Sequence, residues 1–344
     1  MTGTPVSKNA LVAGGSGFIG SHLVDLLLAR GYFVTVVDSL ITGRAGNLTD
    51  ARALHGGGAS PRLRIVSADI RDAAALRTAL GHAERYSEIY NLASPASPVD
   101  FATMPIFILE TGAVGHRNLL DLAREHGARI LFASSSEVYG DAEVHPQVES
   151  YFGNVNTVGH RSCYDEAKRF GESLTLAYAI EHSVEGRIAR IFNTYGPRMR
   201  PDDGRIIPNF FVQALLGQSL TVYGEGSQTR SFCFASDQAA GQFALMQSTE
   251  ARPVNIGNPI ERTVLEIARA VNSLTGNTAP LRYLPLPQND PKLRRPDISR
   301  ARESTGWAPV VSLEDGLKSC LTYFKSELVA RPDVRARVLG QDLC

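Results

Sequence analysis

The chain has 344 residues, 43% hydrophobic and 20% charged, ordinary values for a globular protein with one large or two modest domains. Its 35 basic residues balance 35 acidic ones, so no global field draws in nucleic acid or an anionic membrane, and an anionic ligand must be held by local charges. No apolar run reaches the roughly 18–20 residues that span a bilayer, and no hydrophobic signal core precedes the first strand, so the expectation is a soluble cytoplasmic protein.

From the N-terminus, short apolar runs alternate with longer amphipathic segments, the order of repeated βαβ units with a parallel sheet. NALVAGG (9–15) reads as the first strand, GSHLVDLLLARG (20–31) as a helix ending at Gly31, and FVTVVDS (33–39) as the second strand. RLRIVSADI (62–70), EIYNLAS (88–94) and ARILFASSS (128–136) follow as strands, with helices AALRTALGHA (74–83) and HRNLLDLAREHG (116–127) between them. YDEAKRFGESLTLAYAIEH (164–182) is a long helix, and VEGRIARIFNTYGP (184–197) another strand leaving the same sheet. After about residue 195 the texture turns to loops rich in Pro, Gly and Asp, with helical stretches at 262–276 and 312–328. The fold class expected is α/β: a doubly wound parallel sheet of Rossmann type over residues 1–195, with a smaller mixed α/β domain over 196–344, the segments free to interleave. Cys163, Cys233, Cys320 and Cys344 are scattered, without metal-ligand spacing, so reduced thiols and no metal are expected.

The first turn, Gly14-Gly15-Ser16-Gly17-Phe18-Ile19-Gly20, puts glycines at 14, 17 and 20 between a strand and a helix. That spacing lets backbone approach a pyrophosphate at a helix N-terminus. Alone it is equally a plain tight turn. Asp38, about 20 residues on at the end of the second strand, supplies the context, because a carboxylate there hydrogen-bonds ribose hydroxyls and repels a 2′-phosphate. NAD is therefore the expected cofactor. Asp69 and Ile70, after the third strand, are positioned for the adenine, and Leu92, Ser94 and Thr111 complete the candidate wall.

Tyr164 and Lys168 are four residues apart on one helical face, so phenol and ammonium point at the same site. A phenol with a pKa of about 10 is a poor base at neutral pH, and an adjacent cation stabilises its phenolate. Tyr164 is thus a candidate to take a proton from a sugar hydroxyl while hydride leaves the same carbon for NAD. Beyond the sheet, Asn193, Arg205 and Arg230 lie on loops where open α/β folds place ligands, the arginines as clamps for phosphates and the Tyr223 ring as a wall for a uracil.

The glycine turn, SSSEVYG (134–140), YDEAK (164–168) and RIFNTYGPR (190–198) together resemble the extended short-chain dehydrogenase/reductase family, whose members modify nucleotide sugars. Carried over by motif, the family's catalytic triad falls on Ser135, Tyr164 and Lys168. Longer strings between residues 91 and 298, among them NLASPASP, RSCYDEAKR, DDGRIIPNF, LTVYGEGSQTRSF and RRPDI, are similar to its UDP-glucuronate decarboxylase branch. The resemblance implies oxidation at C4 of UDP-glucuronate by NAD, loss of CO2 from the resulting β-keto acid, protonation at C5 and return of the hydride to give UDP-xylose. Arg294 matches the arginine that meets the sugar carboxylate, and Glu137 is expected to disfavour that carboxylate and to order a water or hydroxyl. Where 4,6-dehydratases carry Asp-Glu, this chain has Ser136-Glu137. UDP-glucuronate 4-epimerisation is the competing chemistry, and nucleotide-sugar binding without turnover the non-enzymatic alternative. Helices around 107–125 and 164–183 occupy the positions where the family pairs subunits, so a homodimer is expected.

The chain departs from the decarboxylase pattern at Pro98-Val99-Asp100-Phe101, where that branch reads Pro-Pro-Asn-Tyr. It departs again at Glu110-Thr111-Gly112-Ala113-Val114-Gly115-His116, where the branch reads Lys-Thr-Asn-Thr-Ile-Gly-Thr. Phe101, Glu110 and Gly112 are expected to change how substrate or intermediate is held, with some escape of UDP-4-keto-pentose.

Overall fold

The computed structural model describes residues 8–58, 61–81, 85–285 and 294–332. The first half runs β1 (Asn9–Ala13), α1 (Phe18–Ala29), β2 (Phe33–Asp38), α2 (Thr49–His55), β3 (Leu63–Ser67), α3 (Ala73–Leu80) and β4 (Glu88–Asn91). It continues through α4 (Pro98–Thr103), α5 (Pro105–Glu110), a π-helical turn (Thr111–Gly115), α6 (His116–His126), β5 (Arg129–Ser135), α7 (Ser162–His182) and β6 (Gly186–Ile191). The remainder is β7 (Thr194–Tyr195), α8 (Ile206–Leu215), β8 (Thr221–Tyr223), β9 (Thr229–Ser231), β10 (Cys233–Phe234), α9 (Ala235–Gln247), β11 (Val254–Ile256), β12 (Glu261–Thr263), α10 (Val264–Thr275), β13 (Arg282–Leu284), α11 (Ser299–Thr305) and α12 (Leu313–Ala330).

Seven strands form one sheet in the order β11-β6-β5-β4-β1-β2-β3, every pairing parallel. Parallel strands with helices on both faces are buried on both faces, and so β1 and β5 read as unbroken apolar runs rather than alternating ones. One face packs Leu23, Val24 and Leu27 of α1 with Leu245 and Met246 of α9; the other packs Leu76 of α3 with Leu119 and Leu120 of α6. A separate core, with Phe210 and Phe211 of α8, Ile267 and Val271 of α10 and Phe324 of α12, forms the C-terminal region. Among the described residues no helix is long and apolar enough to cross a membrane.

Several expected elements differ at their ends, two of them for a visible reason. The strand expected over 184–197 stops at Ile191. Phe192 N still donates to Ile256 O, but Thr194 and Tyr195 leave the sheet to pair with Cys233 and Phe234 of β10. The helix expected over 74–83 ends at Leu80, where Gly81 takes a φ of +72°; His82 and Ala83 lie outside the described residues. The chain also returns: α9 and β11 follow the first substrate-side segments and complete the central sheet and one of its faces.

Strand β5 and helix α7, which carry the candidate chemistry, approach most closely at Gly171. A Cβ at Gly171 would lie 2.2 Å from Cζ of buried Phe132, and that ring is stacked 4.2 Å from the His116 ring. Gly171→Ala gains helix propensity, yet overpacking dominates, and we expect a net loss of about 1–3 kcal/mol in urea unfolding. A more stable variant would show that Phe132 has room to turn aside.

Candidate active site

The glycine turn closes because two of its positions exclude any side chain. A Cβ on Gly20 would meet the Gly14 carbonyl oxygen at 2.1 Å, and Gly14 itself has a φ of +76° with Leu92 backbone 2.7 Å from its would-be Cβ. Gly17 caps α1 without a side-chain hydrogen bond, so the first-turn N–H groups of Phe18 and Ile19 face outward for an anion. The Phe18 ring itself turns toward the C-terminal core. Asp38 accepts from Leu40 N at 2.8 Å and Ser16 N at 2.9 Å; burial raises its pKa against those two donors. Its remaining lone pairs suit ribose hydroxyls.

A single groove is lined by Gly14, Gly17, Asp38, Asp69, Ile70, Leu92, Ser94 and Thr111. The expectation had not included Thr42, Gly43, Ala93, Pro95 and Phe107, which line it too. Only Gly43 carried a signal, since a Cβ there would press on the Asp38 carboxylate at 2.7 Å. These residues fit a dinucleotide: a backbone cradle at a helix N-terminus, a ribose-binding carboxylate and a groove with an apolar wall.

At its inner end the groove meets α7. Thr111 lines it, and the adjacent Gly112 is packed so closely on α7 that a Cβ would lie 2.7 Å from the Ala167 Cβ. The Gly112 departure therefore has a steric reason: an asparagine side chain has no space there.

The serines at the end of β5 divide by strand alternation. Ser134 Oγ donates to Glu172 Oε1 at 2.6 Å, on the side where Arg190 holds the same carboxylate. Ser135 faces the opposite way, beside the Tyr164 phenol whose pKa it lowers, and accepts from Glu137 N at 3.2 Å. Burial pushes Tyr164 up to about 12; Ser135 and Arg205 oppose this, and Glu137 adds to it. Lys168 is buried one turn further along, donates to Ala133 O at 2.7 Å and is pushed down to about 7 by burial.

Glu137 lies between two guanidinium groups. Arg294 grips it bidentately, with Nη2 at 2.9 Å from Oε2, and Arg161 Nη2 stands 2.6 Å from Oε1. Burial alone would raise this carboxyl, but Arg294 and then Arg161 outweigh it and hold it down to about 2. Arg161 was not singled out from the sequence. Its signal was position, immediately before α7 in the RSCYDEAK string. Asp165, on the next turn, is only 6% exposed, and its Oδ1 has no hydrogen-bond partner among the described residues. Burial and the Glu137 charge push it up to about 7, against Arg161 and Arg294.

The other substrate-side candidates are more dispersed. Arg205, at the start of α8, is engaged bidentately by Asp203 and lies within electrostatic reach of Tyr164. Asn193 stands between β6 and β7, Tyr223 on β8, and Arg230 on β9, where its Nη1 donates to Thr229 O. Phe101 stacks on the Tyr164 ring at 4.8 Å and lies under Arg161, so that departure is in contact with the candidate phenol. Glu110 pairs with Arg71 at 2.6 Å, beside Asp69, and lies three residues along α5 from Phe107, whose side chain lines the groove.

Comparison with known proteins places the chain in one family. Residues 10–257 match the NAD dependent epimerase/dehydratase family. UDP-glucuronic acid decarboxylase 1 of Danio rerio is 47% identical over 321 residues, covering 93% of this chain and 73% of that protein. UDP-glucose 4-epimerase of Thermotoga maritima, solved with UDP-glucose, superposes with a TM-score of 0.84 at 28% identity, covering 93% of this chain and 99% of that one. UDP-glucuronic acid 4-epimerase of Bacillus cereus, solved with UDP-glucuronic acid and NAD, gives 0.79 at 27% identity with the same coverage.

Asp165 provides a pH test. Its folded pKa of about 7 lies above an ordinary carboxyl's, so the stability it contributes is complete below about pH 4 and is lost as pH rises through 7. Asp165→Asn should therefore match the parent near pH 4 and exceed it at pH 8.5 by up to about 4 kcal/mol in denaturant titrations. Equal stability at both pH values would show that Asp165 is ionised without penalty.

Proposed function

The chain belongs to the NAD-dependent epimerase/dehydratase family, and we propose that its reaction is the decarboxylation of UDP-glucuronate to UDP-xylose, with NAD recycled within each turnover. The observation that carries this reading is the near-half identity with a UDP-glucuronic acid decarboxylase along 93% of the chain. The enzyme is an NAD-dependent carboxy-lyase of the extended short-chain dehydrogenase/reductase type.

The groove lined by Gly14, Gly17 and Asp38 would hold NAD, which would supply the hydride acceptor for C4 and the hydride for its return. The chain's own work is to move protons and carboxylates. Tyr164, beside Ser135, takes the C4 hydroxyl proton, and Lys168 on the same helical face is the cation that favours its phenolate. The resulting ketone is β to the C6 carboxylate and accepts the electrons released as CO2 departs.

Arg294 is the group that meets the C6 carboxylate, exchanging one carboxylate partner, Glu137, for another. Glu137 keeps its charge through Arg161 and then stands against the substrate carboxylate. Two like charges about 4 Å apart repel by roughly 4 kcal/mol at an effective dielectric of 20, and loss of neutral CO2 relieves that repulsion. Glu137 also orders the water or hydroxyl from which C5 is protonated. Phe101, packed on Tyr164 without a hydroxyl of its own, holds the intermediate more weakly, and a fraction leaves as UDP-4-keto-pentose.

The competing reading is inversion at C4 of the same substrate, the reaction named for the Bacillus cereus structure; at 27% identity it is the more distant relative. Incubation with UDP-glucuronate and NAD, followed by NMR, separates the two. We expect CO2 loss, UDP-xylose as the main product and a minor 4-keto-pentose. Retention of C6 with inverted C4 rejects decarboxylation, and UDP-xylose alone at full turnover rejects the leak. Tyr164→Phe should lower kcat by about 100-fold or more while UDP binding persists. Glu137→Gln should slow CO2 loss more than C4 oxidation.

A homodimer is part of the proposal. Ile106 and Leu109 of α5 and Phe170, Leu176 and Ile180 of α7 are large apolar side chains left exposed, Ile180 by 77%. Light scattering should give a dimer, with Phe170→Glu and Ile180→Glu together giving a monomer; a monomeric parent protein would remove this part.

A further inference from the structure

The adenine end of the groove has a second layer behind its lining. Asp69 lines the groove, and Arg71 takes hold of it from behind: Nε stands 3.0 Å and Nη2 2.7 Å from Oδ2, and the Arg71 backbone N donates to Oδ1 at 2.9 Å. A carboxylate offers about four lone-pair sites. Arg71 makes four hydrogen bonds to it, Nε also reaching Oδ1 at 3.2 Å, and so fixes the plane of the carboxylate.

The same guanidinium lies 3.8 Å from the centre of the Phe107 ring, which also lines the groove. Its third nitrogen, Nη1, donates to Glu110 Oε2 at 2.6 Å. Phe107 and Glu110 are three residues apart on α5, so one arginine joins the loop after β3 to this helix through a ring contact and an ion pair. Both polar and apolar walls at this end depend on where that arginine sits. Glu110 is half-exposed and touches no catalytic group described above, so its contribution runs through Arg71.

We propose that Glu110 and Arg71 form a strap that closes the adenine end of the groove and sets how long NAD(H) stays bound. Glu110 and Arg71 are positioning residues: Glu110 holds Arg71, and Arg71 holds Asp69 and Phe107. The proposal rests on the cofactor assignment and not on which carbon of the sugar reacts.

The test is NADH binding to nucleotide-stripped protein in the absence of sugar nucleotide, with the off-rate from stopped-flow displacement and UDP affinity from calorimetry. Glu110→Lys sets two cations against each other and should raise the NADH off-rate about tenfold, while UDP affinity stays within about twofold. Glu110→Gln keeps an oxygen acceptor and should recover part of that loss. An off-rate change below threefold in Glu110→Lys overturns the proposal, as does a parallel fall in UDP affinity. Decarboxylation plays no part in these measurements, so they stand or fall separately from the reaction assigned above.

Discussion

A buried carboxylate meets two guanidinium groups at the end of β5, one of them buried and the other partly open to solvent. Burying a lone Glu137 charge there would be prohibitive, and burial by itself does push the carboxyl upward. Arg294 and Arg161 reverse that, and they arrive from different parts of the chain, one after the C-terminal region's strands and one at the entry to α7. The active-site end of the sheet is therefore assembled only when the C-terminal region is docked on it. The leftover carboxyl shows the limit of the arrangement: the arginines satisfy Glu137, and Asp165 beside them is driven toward its neutral form. Environment alone separates two carboxyls of the same chemistry.

Much of this was legible because the signals are local. The glycine turn, Asp38, and Tyr164 with Lys168 each sit within one element or one strand-turn-helix unit, where spacing is geometry. Long-range contacts were less visible. Helix α9 was not expected, since Gln238 and Gln242 are fully buried in it and break the apolar stripe that marks a helix in sequence. Strand β11 is three residues long and acquires its meaning only from pairing with β6, some 65 residues earlier. Arg161 lay outside the YxxxK spacing, and Phe107 looked like any apolar helix residue.

The three departures from the decarboxylase pattern resolve into three different physical situations. Gly112 is a close contact with α7, Phe101 an aromatic neighbour of the Tyr164 ring, and Glu110 the ion-pair partner of Arg71. The two altered stretches thus reach three different surroundings, because Phe101, Glu110 and Gly112 stand on three successive elements.

The return of the chain into its own sheet has a consequence for synthesis. Strand β11 and helix α9 emerge from the ribosome only after α8 and the ribbons that follow it, yet they cover one face and one edge of the nucleotide-binding half. A nascent chain that has released residues up to 195 has six of the sheet's seven strands and exposes apolar side chains of α1 and β6 that α9 and β11 later cover. The sheet that carries the candidate cofactor groove is therefore finished only when residues from the second half of the chain have joined it.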